Sequence, residues 1–120
     1  MQYMLLIYGD EKTAASMSEA EAGKFMAEFN VFSKSIAESG NFVAGGRLQP
    51  TPNATTVRVR EGKTLTTHGP FAETREQLGG YYLVEARDLD EALALAARIP
   101  GARYGSIEVR PLHSIPQVAR

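Results

Sequence analysis

The chain contains no cysteine and no tryptophan. Without thiols there can be no disulfide, no thiolate nucleophile and no zinc–sulfur site. Histidine is scarce too: His68 and His113 are the only two. They form no close ligand pair such as H-x-x-x-H, so neither a metal nor a cofactor is expected. No nucleophile-elbow pattern supports a serine hydrolase. Excess charge of either sign is also missing, with 13 basic against 14 acidic residues and a formal net charge of -1. No two basic residues adjoin, so the basic stripe of a dedicated nucleic-acid binder is lacking and no direct nucleic-acid contact is expected. No apolar run approaches the roughly 18 residues that a membrane helix needs. Met1–Tyr8 is apolar but lacks the basic start and small-residue cleavage site of a signal peptide. The expectation is a cytoplasmic protein with no membrane partner.

What is present suits one domain. The chain has 120 residues and is 43% hydrophobic, enough for a core and too apolar for a disordered chain. Tyr3–Tyr8 is a continuous apolar run closed by Gly9–Asp10, the pattern of a central strand. Ser18 with Glu21 three residues later forms a capping-box signature. It opens a predicted helix to about Ser39, with Ala22, Phe25, Met26, Phe29, Phe32 and Ile36 as its buried stripe and Gly40 as its left-handed stop. Phe42–Leu48 reads as a second strand, and Thr55–Arg60 and Lys63–Thr67, joined at Glu61–Gly62, as a hairpin. Tyr81–Ala86 is the next strand. Asp88, with Glu91 after it, caps a second helix whose stripe is Leu89, Ala92, Leu93, Ala96 and Ile99. Tyr104–Arg110 is the last strand, and the tail 112–120 is expected to be mobile or to lie across a partner.

With the hairpin removed as an insertion, this order is βαββαβ. The predicted fold class is therefore α+β, a ferredoxin-like antiparallel sheet with two helices on one face. Two helices cover one sheet face, yet Tyr3–Tyr8 is apolar on both. A second subunit is the expected cover, giving a homodimer with a cavity between two sheets.

The longest segment without strand or helix periodicity is His68–Gly80, 13 residues punctuated by glycine and proline. Connections of that length inside a compact domain tend to be functional or disordered. An imidazole can exchange protons near neutrality, so His68 suits a general base; the alternative is a solvated histidine at a strand end. Glu73 is the candidate to orient it, or else it caps a short helical turn. Arg75 is a candidate fork for a ligand carboxylate or phosphate. Asp10 and Arg47, at the ends of two strands, are candidates for the rim of the cavity. Tyr8, Tyr81 and Tyr82 are expected on the open sheet face, with the tyrosine hydroxyls available to a ligand.

Tyr3-Met-Leu-Leu-Ile-Tyr-Gly-Asp10, Val43-Ala-Gly-Gly-Arg-Leu-Gln-Pro50, Gly69-Pro-Phe-Ala-Glu-Thr-Arg-Glu-Gln-Leu-Gly-Gly80 and Tyr104-Gly-Ser-Ile-Glu-Val-Arg-Pro111 together resemble the YCII-related proteins of the DGPF type. The resemblance covers roughly residues 2–111 and suggests one domain of 1–111. It implies a dimeric α/β-barrel of ferredoxin-like subunits, a bacterial source and, for some members, genomic association with extracytoplasmic-function sigma factors. The chain departs from the family twice. His68 stands where the motif begins with aspartate, and residues 18–39 hold no histidine to supply the histidine–aspartate pair of the wider group. Two functions follow as expectations. One is a small-molecule-binding homodimer, with proton transfer by His68 and Glu73 and contacts from Arg47, Tyr8, Tyr81, Arg75 and Asp10. The other is a non-catalytic interaction or regulatory module linked to sigma-factor-dependent transcription.

Overall fold

A computed structural model describes residues 1–114. Its chain order is β1 (Gln2–Gly9), α1 (Glu11–Ala15), α2 (Glu19–Glu38), β2 (Phe42–Arg47), β3 (Thr55–Arg60), β4 (Lys63–His68), β5 (Gln77–Glu85), α3 (Leu89–Arg98) and β6 (Ser106–Pro111). Four strands form an antiparallel sheet in the order β2-β5-β1-β6, and β3 and β4 form a separate two-stranded ribbon. This is the ferredoxin-like α+β plan with an inserted hairpin, as the residue pattern predicts. The short α1 was not expected.

Both long helices start as their residues dictate. Ser18 Oγ accepts from the Glu21 N–H and Glu21 Oε1 accepts from the Ser18 N–H, each at 3.1 Å. Two orphan amides at the start of α2 are thus satisfied by one reciprocal pair. At its other end Gly40 takes φ +81°, a left-handed conformation that residues with a Cβ adopt only under strain. Asp88 Oδ1 accepts from the Glu91 N–H at 2.9 Å and opens α3.

The core lies between these helices and one face of the sheet. Tyr3 and Leu5 of β1, Tyr82 and Val84 of β5, Phe32 and Ile36 of α2, and Ala92, Leu95, Ala96 and Ile99 at α3 are buried. Burying each large side chain contributes about 1.5–3 kcal/mol. Along α2 the expected stripe is fully buried only in the C-terminal half, at Phe32 and Ile36. Phe25, Met26 and Phe29 are half-buried and Ala22 is exposed, because a helix of 20 residues outruns its sheet. On α3 the expected stripe is corrected: Leu89 and Leu93 are about half exposed, and Leu95 takes the buried place. Small Ala92 and Ala96 face the sheet, letting the helix approach closely, and so rotate Leu93 outward. A second correction concerns Tyr82. It points into the core and not to the open face, because side chains alternate along β5. Its hydroxyl is 2.6 Å from Ser33 Oγ.

The predicted loop His68–Gly80 is shorter than expected. His68 ends β4, and β5 begins at Gln77, leaving 69–76 between them. Two features draw Gln77–Gly80 into the sheet. Gly79 is an extra residue in β5, since Ile7 pairs with Gly80 but Tyr8 with Leu78. This bulge keeps Leu78 beside Tyr8. The second feature is close packing against β2. A Cβ on Gly45 or Gly46 would lie 3.1 Å or 3.0 Å from the Tyr82 or Tyr81 ring, so the glycine pair lets both rings sit against that strand. The last strand starts at Ser106, later than predicted, after a 3-10 turn at Pro100–Arg103.

Glycine positions supply a direct stability test. A Cβ on Gly105 would overlap the Tyr8 carbonyl oxygen, whereas one on Gly23, within α2, meets nothing. Gly105→Ala is expected to cost roughly 1–3 kcal/mol. Gly23→Ala should add roughly 0.5–1 kcal/mol through helix propensity. Urea unfolding of the two variants checks both signs.

Candidate functional site

One edge of the four-stranded sheet gathers the polar residues. Gly9 pairs with Gln77, Arg47 with Gly80 and Tyr8 with Ser106. The outgoing ends of β1 and β2 therefore meet the incoming ends of β5 and β6. Asp10 follows β1, and its Oδ1 accepts from the Lys12 N–H at 2.9 Å, capping α1. That cap sets Glu11 in the first turn, where its carboxylate grips the start of the 3-10 turn Thr51–Asn53. It accepts from the Thr51 N–H at 2.8 Å and from Thr51 Oγ1 at 2.6 Å.

The Glu11 N–H in turn donates to Gln77 Oε1 at 2.9 Å, and Gln77 Nε2 donates to the Thr74 carbonyl at 2.6 Å. Thr74 Oγ1 donates to the Glu76 carbonyl at 2.6 Å, and Glu76 Oε1 accepts from Ser106 Oγ at 2.8 Å. This chain of bonds joins β1, the turn before β3, the loop 69–76 and β6. Such a network fixes a loop that has little apolar packing of its own.

The pinned loop borders a recess of about 440 Å³, lined by Thr51, Pro52, His68, Glu73, Thr74 and Gln77, among others. His68 and Glu73 are thus brought to one recess, both with exposed side chains. Neither side chain hydrogen-bonds to another group among the described residues. A solvent-facing imidazole and carboxylate in one hollow can hold and exchange a proton with a bound molecule.

The remaining candidates lie outside the lining of this recess. Asp10 is engaged as a helix cap. Arg47 stands exposed at the end of edge strand β2, and Arg75 is exposed on the loop. Tyr8 and Tyr81 lie on the sheet face opposite the helices, with Met4, Leu6 and Leu83. Tyr81 is paired with Leu6, and Leu83 with Met4. Three contributors to the recess and its support went unrecognised in the sequence: Glu11, Thr51 and Gln77. The available signal was Gly9-Asp10-Glu11, an N-cap and an acidic first-turn residue directly after a strand.

Among the described residues, one group on the open face is perturbed. Tyr8 Oη donates to Glu108 Oε1 at 3.2 Å. Burial, and then the Glu108 carboxylate, hold its phenol above the ordinary tyrosine range, against a smaller opposing pull from Arg110.

The YCII-related domain model matches residues 1–115. The chain belongs to that family. The uncharacterized protein R00369 of Rhizobium meliloti (strain 1021) is 40% identical over 114 residues, covering 93% of this chain and 92% of that one. Among solved structures, the 5-chloro-2-hydroxyhydroquinone dehydrochlorinase TftG of Burkholderia phenoliruptrix, in complex with 2,5-dihydroxybenzoquinone, superposes with a TM-score of 0.55. The match covers 94% of each chain at 11% identity, a likeness of fold. No helix among the described residues of this YCII-related protein is long and apolar enough to cross a membrane.

The Tyr8 phenol makes stability depend on alkaline pH. Its folded pKa exceeds the unfolded value near 10, so the neutral form is favoured in the fold. The contribution is complete below the unfolded pKa and is lost as pH rises through the folded one. Ultraviolet titration should show a late-ionising tyrosine that vanishes in Tyr8→Phe and moves back toward 10 in Glu108→Gln.

Proposed function

We propose that this YCII-related protein is a cytoplasmic bacterial homodimer, its sheet faces paired, that binds a small organic molecule at the sheet edge. The functional unit is residues 1–111, with 112–120 as a tail; from 115 onward that tail lies outside the described residues. The observation that carries this reading is the meeting of an acid–base pair with uncovered apolar surface. His68 and Glu73 share a recess at the edge where Tyr8 leads onto the open sheet face. Leu6, Leu83 and Met4 on that face are half-exposed in the single chain, and a second sheet would dry them. Water would then be excluded from the neighbouring recess, strengthening its electrostatics.

In the proposed chemistry, the neutral His68 imidazole takes an acidic proton from the ligand. The Glu73 carboxylate stabilises the resulting imidazolium, and the proton returns to the ligand at another atom or leaves to solvent. Arg47, Arg75 and Asp10 ring this edge as contacts for a polar ligand, and Tyr8 and Tyr81 form its aromatic floor. The fold shared with TftG supports a small planar ring as the ligand class.

Calorimetric titration with small phenols and quinones, including 2,5-dihydroxybenzoquinone, tests the site. His68→Asn should weaken binding of any ligand found by at least tenfold and abolish its turnover. Equal binding and turnover by the variant and the natural protein would remove His68 from the site. Sedimentation in dilute solution tests the pairing: the natural chain should run as a dimer and Leu6→Lys as a monomer.

A second reading has one specific observation in its favour. Phe71, between His68 and Glu73 in the chain, is 78% exposed, an aromatic side chain displayed on the same loop. That is the arrangement of a regulatory interaction module, here one linked to sigma-factor-dependent transcription. If it holds, Phe71→Ala abolishes capture of the partner protein and leaves small-molecule binding intact.

A further inference from the structure

Among the described residues, the β3–β4 ribbon is an arm without a body to lie on. It shares no ladder with the main sheet, and all but one of its strand residues are exposed. The chain's radius of gyration is 16.6 Å, against about 13–14 Å for a compact domain of this length. An isolated two-stranded hairpin is at best marginally stable in water, and it needs a third strand or a packed face. The tight turn at Glu61–Gly62, with φ of 52° and 74°, fixes its register but buries nothing.

The register divides the arm into two unlike faces. The pairs Arg58↔Leu65 and Arg60↔Lys63 put three cations on one face. The pairs Val57↔Thr66, Val59↔Thr64 and Thr55↔His68 put β-branched side chains and one imidazole on the other, with no carboxylate, lysine or arginine. Val57 and Val59 are each 59% exposed there. Alternation of this kind marks a strand pair with one solvated and one covered face. Covering the valine face would leave all three cations in water, so no charge would be desolvated.

We infer that the uncharged face of the arm, centred on Val57 and Val59, clasps a second copy of this chain. The inference rests on the sheet-pairing reading above, and area is what commits it to that occupant. A four-stranded face is roughly 20 Å by 20 Å, about 400 Å² in projection, a lower bound on the accessible surface its side chains present. A stable interface takes about 800 Å² from each partner. The arm supplies further apolar surface where the sheet face falls short. It also runs continuously into that interface, because His68, at its root, lines the recess at the sheet edge. In a two-fold dimer the same contact is made twice, so one association covers both arms. The partner's body thereby braces the strand that carries His68.

Sedimentation-velocity dilution series on the full chain test the clasp. The double variant Val57→Lys/Val59→Lys should raise the dimer dissociation constant at least tenfold. Arg58→Ser/Arg60→Ser, on the cationic face, should change it less than threefold. If the valine variant dimerises as tightly as the natural chain, the clasp is wrong and sheet pairing stands. If the natural chain is monomeric, sheet pairing fails and the clasp with it. Hydrogen exchange gives a readout that leaves the arm unmutated. In monomeric Leu6→Lys the arm amides should exchange at least tenfold faster than in the natural dimer, while buried β1 amides keep their protection. Equal arm protection in both proteins overturns the inference.

Discussion

Everything in this molecule follows from the pairing of β1 with its two neighbours. Strand β1 lies between β5 and β6, and its side chains alternate between two environments. Tyr3 and Leu5 enter the core under α2 and α3, while Met4, Leu6 and Tyr8 stand on the side the helices do not reach. Period-two geometry permits no compromise, since a slip of one residue would exchange the two sets. The same ladder carries β1 out to Asp10 and Glu11, and so decides where the polar edge forms. Core, open face and recess are three results of one register.

Much of that architecture was legible in the residues. The capping box at Ser18 and Glu21, the Asp88 cap, the Glu61–Gly62 turn and the strand order each have a local physical cause, and local causes can be read from a string. Errors arose where tertiary contact decides. Leu93 and Leu95 fit a helical period equally well, and only the approach of Ala92 and Ala96 to the sheet selects Leu95. Tyr82 looked like a neighbour of Tyr81 in function, yet adjacent strand residues face opposite ways. Gln77–Gly80 resembles loop in composition. Its pairing depends on an extra residue opposite β1 and on the glycines of β2, which are distant in sequence.

The site was half visible for a related reason. His68 and Glu73 stand in one conspicuous segment, and they do line one recess. Glu11, Thr51 and Gln77 come from three separate stretches, and only the folded chain brings their hydrogen bonds together. Asp10 was legible as a strand-end residue, but its second task was not: one carboxylate oxygen caps the first turn of α1. Short polar residues beside glycine serve backbone amides at such corners more often than they serve ligands.

The extra residue at Gly79 has a broader meaning. It acts as a half-turn in the thread: within β5, Gln77 and Leu78 are rotated to the other flank relative to the residues that follow. Relatives that lost or gained one residue there would carry the same motif letters, yet present them on the reverse side of the platform. Sequence identity across that point would then overstate kinship in chemistry. Two chains with matching residues at Gln77 and Leu78 need not aim them at the same hollow.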